Sequence, residues 1–348
     1  MPIKKIISWV TLGLVALILF LSWDELVKAW ALLQTVNILV LVLLVPLMIF
    51  TFFAAAEMMF SYLRAKGVAR DISIWERARM AMELNFVNHT LPSGGVSGIS
   101  YITWRLGKKG VNPGKAASAQ VVRYVAGFAA AAILISVSVL AVTLDGEINR
   151  WIILVSSGIV TFMILSTIGL IFVVSSRRRM RGFAEWVTIT LNGITRKMTR
   201  GKKHRLVHQD KVYAFFEDIH DDYIELRKDY RVLTRPILWA IAYTAADAML
   251  FAITFWALGT PINPAPLIIA YVLASVAGFI VVTPGGAGAY EAIMVGFLAT
   301  AGIASSASLA AIVLTRVIIL IVTIAVGYFF YEDALRRYGK DRSTTRRK

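Results

Sequence analysis

Long apolar runs separated by short charged clusters dominate this chain, at about 6–22, 36–60, 117–142, 151–175, 236–258 and 306–331. A helix of about 20 residues spans the hydrocarbon core of a bilayer, and each run approaches or exceeds that length. The pattern therefore predicts an all-α integral membrane protein with six spanning helices. Lys4 and Lys5 give the first run the outline of a signal peptide. However, Trp23-Asp24-Glu25 follows it where small residues would mark a cleavage site, so a retained span is expected.

The flanking charges orient these spans. Lys4 and Lys5 lie before the first, Arg64, Lys66 and Arg70 after the second, "SSRRRMR" after the fourth and "EDALRRYGKDRSTTRRK" at the end of the last. The intervening flanks, Asp24-Glu25 and Asp145 with Glu147, are acidic or mixed. Basic flanks face the cytoplasm, so a multi-pass protein of the cell membrane with both termini inside is predicted. The basic stretch 177–235 contains "VTITLNGITRKM" and "VYAFFEDIHDDYIEL", which mix apolar and charged residues at helical spacing. Amphipathic helices on the inner leaflet, next to anionic lipid headgroups, are expected there.

Two further segments, 72–106 and 265–301, do not read as plain spans. The first opens with "ISIWERARMAMELNFVNHT", whose Glu76, Arg77, Arg79 and Glu83 are foreign to a lipid-facing helix. Each segment is interrupted by proline and glycine, in "LPSGGVSGIS" (91–100) and "TPGGAGAYEA" (283–292). The first begins and ends on the basic side, and the second lies between the uncharged "GTPINPAP" and "GIASSAS" on the other side. Two re-entrant broken-helix hairpins, or two pairs of tilted helices, entering from opposite faces, are predicted.

The two breaks belong to a longer repeat. Pro92 lies 18 residues before Gly110, and Pro284 lies 18 before Gly302. Arg123 follows Gly110 by 13 residues, and Arg316 follows Gly302 by 14. Glu57 precedes Pro92 by 35 residues, and Asp247 precedes Pro284 by 37. Units 36–142 and 236–331 thus share an order of features, and the charge pattern starts them on opposite sides, an inverted-topology repeat. One departure stands out: Ile99 occupies the position that Glu291 holds in the second unit.

Composition narrows the chemistry. The 348 residues are 58% hydrophobic, with mean hydropathy +0.69, a net charge of +16 and no cysteine. Thiolate chemistry and disulfides are excluded, and no phosphate loop, dinucleotide fingerprint or HExxH appears, so no cofactor is expected. The basic charge sits beside the apolar runs, which points to membrane orientation and not to nucleic acid. His204, His208 and His220, with Asp221 and Asp222, lack a ligand spacing for a metal.

Breaking a helix at membrane depth strands backbone polar groups unless the break is buried in protein or lines a polar cavity. The half-helix that follows presents free N–H groups to an anion, and glycine lets that anion approach. Pro92, Gly94, Gly95, Pro284, Gly285, Gly286 and Gly288 are therefore expected to shape a passage. Arg123 and Arg316 are candidates to hold a lipid phosphate, with pairing to Glu57, Asp247 or Glu291 as the alternative. Glu291 is expected to compensate a helix end, contact a cationic headgroup or carry a proton. Asn85, Asn88 and His89 are read as partners of loosened backbone, and Arg105 as a snorkelling side chain at the hairpin mouth.

"LPSGGVSG", "TPGGAGAYEA" and the surrounding spans resemble the flippase-like membrane region of the lysylphosphatidylglycerol synthase family, over residues 5–335. The Pro-Gly-Gly-x-Gly-x-x-Glu element at 284–291 is the most specific part of that likeness. The resemblance implies movement of a phospholipid or lipid-linked substrate between leaflets. Because the sequence ends soon after the last span, it implies movement without lipid synthesis. A membrane-embedded lipid transferase and a non-transporting partner subunit remain open, as does a homo-oligomer.

Overall fold

The computed structural model describes residues 20, 23–90, 96–144, 150–198, 209–280 and 288–339. The first predicted span, Pro92, Gly94, Gly95, Pro284, Gly285, Gly286, His204 and His208 lie outside these, apart from Phe20 of that span. The described residues are helical throughout, joined by turns, and five helices are long and apolar enough to cross a membrane. These are Ile38–Ala65, Pro113–Leu144, Ile153–Val174, Tyr230–Ala257 and Ser305–Tyr338. The chain is a multi-pass helical membrane protein.

Helix α1 (Trp23–Leu33) is followed by the short α2 (Ile38–Leu41) and by α3 (Leu44–Ala65). Asn37 caps α2 through its side-chain oxygen, which accepts from Leu39 and Val40. Pro46 has no N–H to offer the carbonyl of Val42, which accounts for the interruption between α2 and α3. The segment around Asp24 and Glu25 is thus an ordered helix, not a loop. Leu32 and Leu33 seat its end against Val313, Leu314 and Val317.

The remainder of the first unit is α4 (Ile74–Thr90), α5 (Val96–Gly107) and α6 (Pro113–Leu144). The second unit is α10 (Thr234–Ala257), α11 (Pro264–Ile280), α12 (Ala289–Thr300) and α13 (Ser305–Tyr338). The helices before the two breaks have 17 residues each, and those after them 12 each. At about 1.5 Å per residue, a 12-residue helix covers about 18 Å, too little to cross the hydrocarbon core. Both short helices end at the repeated glycines. Gly110 and Gly302 have φ of 80° and 79°, a region costly for a residue with a Cβ. There Val111 N–H reaches back to Leu106 O and Ile303 N–H to Leu298 O, closing each helix end.

Around the first break, α4 and α5 fold back antiparallel. Glu83 meets Tyr101 and Arg105, while the earlier Glu76 meets Arg105 and the later Lys109. Gly98 permits the approach, since a Cβ there would lie 2.2 Å from the Asn88 side-chain oxygen and 2.9 Å from Leu84. The opening helices of the two units also run antiparallel. Asn37 N–H bonds to Ala257 O, Leu44 and Met48 cluster with Leu250, and Met58 with Ala240. Contacts are exchanged between units: α6 packs on α11, and α13 on α4.

Two helices, α7 (Arg150–Val174) and α8 (Arg177–Met198), lead to α9 (Gln209–Lys228). Leu154, Phe162, Leu165, Ile168 and Phe172 of α7 are exposed, as expected when lipid is the solvent. Helices α8 and α9 form an antiparallel pair, with Arg177–Asp221 and Arg181–Glu217 both at 2.8 Å. Asp222 of α9 accepts from Tyr62 and pairs with Lys66, tying this pair to α3. His220 is buried and bonds to Val174 O at 2.6 Å. Among the described residues no cluster of metal-ligating side chains occurs.

Candidate functional site

The second break delivers the chain to α12. Gly288 is the N-cap, and Glu291, in the first turn, accepts its N–H at 2.7 Å. The carboxylate thereby satisfies one of the free donors at the helix start. Its other oxygen receives Arg316 from α13. The guanidinium of Arg316 also lies 4.5 Å from the centroid of the Tyr290 ring. Of the pairings open to the two spanning arginines, Arg316 makes the one with Glu291.

Asp247 lies one helix away, on α10, and accepts the Tyr271 hydroxyl of α11 at 2.5 Å. Tyr243, Tyr271 and Tyr290 surround it closely enough to feel its charge. Phe251 backs this group, with ring centroids 6.0 Å from Tyr271 and 6.3 Å from Tyr290. Arg123, on α6, reaches the same neighbourhood, since its charge acts on Tyr243. Among the described residues Arg123 makes no ion pair or hydrogen bond. The departure noted in the sequence explains the contrast with Arg316: the residue aligned with Glu291 is Ile99, which has nothing to offer a guanidinium.

The ends of the two broken segments approach each other here. His89, in the last turn of α4 before the first break, lies within electrostatic reach of Arg316, at the second. Its Nδ1 is 2.9 Å from Asn85 O, in line with service to local backbone. Arg123, Asp247, Glu291 and Arg316 therefore gather around three tyrosines, with Glu291, Tyr271 and Tyr290 buried and the others half-buried. The tyrosines were not singled out from the sequence. Their legible signal was a hydroxyl-bearing ring within runs otherwise built of Ala, Ile, Leu and Phe.

Glu57 is not part of this cluster. Its oxygens are held by Arg64 and Arg77, each at 2.5 Å, and its side chain is 4% exposed. It belongs to a separate ionic network that fastens the first hairpin. Glu83, fully buried, accepts from Tyr101 at 2.7 Å, Arg79 at 2.9 Å and Arg105 at 3.2 Å. Arg79 also bonds to Asp333 at 2.5 Å and to Phe330 O at 3.2 Å, joining α4 to the end of α13. Arg105 does not snorkel. It is 1% exposed, stacked 4.2 Å from the Tyr338 ring and held by Glu83 and Glu76. Two acidic partners on α4 keep the guanidinium inside, where water would otherwise draw it out.

Two cavities accompany these groups. One, of about 200 Å³, lies between α3, α6, α7 and α9 and is lined by Val122, Val125, Leu170, Ile171 and Tyr230, away from the polar cluster. The other, of about 330 Å³, lies against the second hairpin and α7, lined by Val155, Leu273, Ile293, Gly296 and Phe297. Both are almost wholly apolar.

Residues 6–327 match the family described as the lysylphosphatidylglycerol synthase TM region. The chain is also 24% identical over 181 residues to a UPF0104 membrane protein of Methanothermobacter thermautotrophicus, a match covering 52% of each. With the family match extending over nearly all of its length, and through both Pro-Gly breaks, this chain belongs to the lysylphosphatidylglycerol synthase TM region family.

Proposed function

We propose that this protein moves a polar-headed phospholipid or lipid-linked substrate between leaflets without synthesising it. One observation carries the reading: Arg123 lies within electrostatic reach of Tyr243, on the helix of Asp247, and has no ion pair among the described residues. An uncommitted guanidinium at such depth is costly unless it serves an incoming anion, and its planar donors suit a phosphate. Arg316 supplies a second guanidinium once Glu291 releases it, at the N-terminus of a half-helix whose N–H groups favour negative charge.

In this reading the protein lies in the cell membrane with both termini in the cytoplasm and crosses it six times. The segments 72–106 and 265–301 are re-entrant hairpins of an inverted repeat. Support comes from the equal lengths of their arms, the antiparallel opening helices and the exchange of packing partners between units. The acyl chains stay in lipid, and the apolar cleft beside α11 and α12 offers them a route next to the second hairpin. The proposed role is transport and not group transfer.

The test is reconstitution into liposomes carrying a headgroup-labelled phospholipid, with label exposure followed over time. Vesicles with the wild-type protein are expected to exchange lipid faster than empty ones, and Arg123→Ala and Arg316→Ala to lose the gain. Equal rates in all four preparations would refute the proposal.

A further inference from the structure

The acidic side chains of the membrane-inserted helices are treated unequally. Glu57, Glu76, Glu83, Glu291, Glu332 and Asp333 each meet an arginine. Among the described acids of α3 to α7 and α10 to α13, Asp247 alone has no ion pair. Its recorded partner is a neutral hydroxyl, that of Tyr271. Among the described residues the two units are thus complementary: the first pairs its acid but not its arginine, and the second pairs its arginine but not its acid. The two members without an ion pair among the described residues, Arg123 and Asp247, both act electrostatically on Tyr243 and form no salt bridge with each other.

We infer that Asp247 is the proton-binding site through which lipid movement is coupled to a transmembrane pH difference, an inference that rests on the transport reading above. An ionised carboxylate with one hydroxyl partner and no ion pair among the described residues is poorly compensated. Tyr271 occupies one oxygen and leaves the other to take a proton. The groups around it are Tyr243 on its own helix, Tyr271 from α11 and Tyr290 from α12, with Arg123 of α6 acting on Tyr243. Arg316 of α13 lies over Tyr290 and is already paired with Glu291, and Glu57 of α3 is turned to Arg64 and Arg77. Helix α2 brings only Ile, Leu and Val. The one cation in this group, Arg123, is the proposed phosphate ligand. Arg123 and Asp247 both act on Tyr243, so a phosphate drawn to Arg123 brings its negative charge into the neighbourhood of the carboxylate, and lipid entry and proton uptake reinforce each other. Glu291, nominated from the sequence to carry a proton, is instead committed to Arg316 and the helix N-terminus.

The experiment uses proteoliposomes with a labelled zwitterionic phospholipid and an imposed pH difference, with sodium equal on both sides. Wild-type protein is expected to accumulate lipid in one leaflet, approaching about tenfold per pH unit for one proton per lipid. In Asp247→Asn, residual movement leaves the leaflets even. Tyr271→Phe, which withdraws a donor from the ionised carboxylate, raises the midpoint of the pH response by about one unit. In infrared difference spectra on acidification, a protonated-carboxyl carbonyl band is expected in wild type and absent from Asp247→Asn. Lipid movement that ignores the pH difference in wild type overturns the inference and leaves the transport reading standing. So does a response to a sodium gradient at equal pH, an unmoved midpoint in Tyr271→Phe, or an infrared band that survives Asp247→Asn. Wild-type vesicles no faster than empty ones remove the transport reading, and the coupling falls with it.

Discussion

Arg316 reaches from α13 to the carboxylate of Glu291 in the first turn of α12, and that carboxylate also holds the N–H of Gly288. One side chain therefore closes a helix end and neutralises a spanning arginine. The equivalent position of the first unit is Ile99, and its arginine, Arg123, is left without an acidic partner among the described residues.

This asymmetry predicts different phenotypes for two substitutions that look alike. Arg123→Ala removes a costly group with no ion pair among the described residues and should leave stability unchanged or raised while abolishing lipid movement. Arg316→Ala strands the Glu291 carboxylate and should destabilise by about 2–4 kcal/mol. Thermal melts in detergent, alongside liposome assays, compare the two. Equal destabilisation would contradict the arrangement.

At position 291, glutamine keeps an acceptor for Gly288 N–H, whereas alanine loses both the cap and the ion pair. Glu291→Ala should therefore be less stable than Glu291→Gln by about 1 kcal/mol, the usual worth of a cap. Thermal unfolding monitored by size-exclusion chromatography measures the difference. Indistinguishable variants would mean that capping contributes nothing.

Arg79 joins the first hairpin to the end of α13 through Asp333 at 2.5 Å. Reversing either charge should destabilise the protein, and Arg79→Asp combined with Asp333→Arg should recover part of the loss. A double-mutant cycle should give a coupling of about 1 kcal/mol or more, since both groups share a network. Additive single effects would show the pair to be idle.

Gly327 lets α13 lie against α4. A Cβ there would stand 2.6 Å from Phe86 Cβ and 3.2 Å from Met82 O. The second of these is backbone, so the helices must separate, at about 1–3 kcal/mol. Gly327→Ala should therefore lower the melting temperature although alanine is the better helix former. Gly158→Ala, at a position with open space around it, should not.

Much of the architecture was open to inspection in one dimension. Apolar runs of membrane length located the five long helices, because in lipid a spanning segment must satisfy its own backbone within a helix. The spacing of Gly110 and Gly302 marked both helix-ending turns, while Pro92 and Pro284 lie outside the described residues. Helix α1 escaped notice because its apolar face is short and its charges resemble those of a loop. The burial of Arg105 escaped for another reason: whether a long cationic side chain turns to water or inward depends on what lies beside it. Glu83 and Tyr338 are remote from Arg105 in sequence.

Composition and periodicity alone thus determined that the chain is a helical membrane protein with arginines and acids set inside its apolar helices. Only the tertiary structure decided which acid meets which arginine. Hydropathy acts over neighbouring residues and is written along the chain, whereas an ion pair depends on a few ångströms between groups far apart in it. Glu57 could as well have reached Arg123 by sequence order, but the fold gives it Arg64 and Arg77 and leaves Arg123 facing Tyr243.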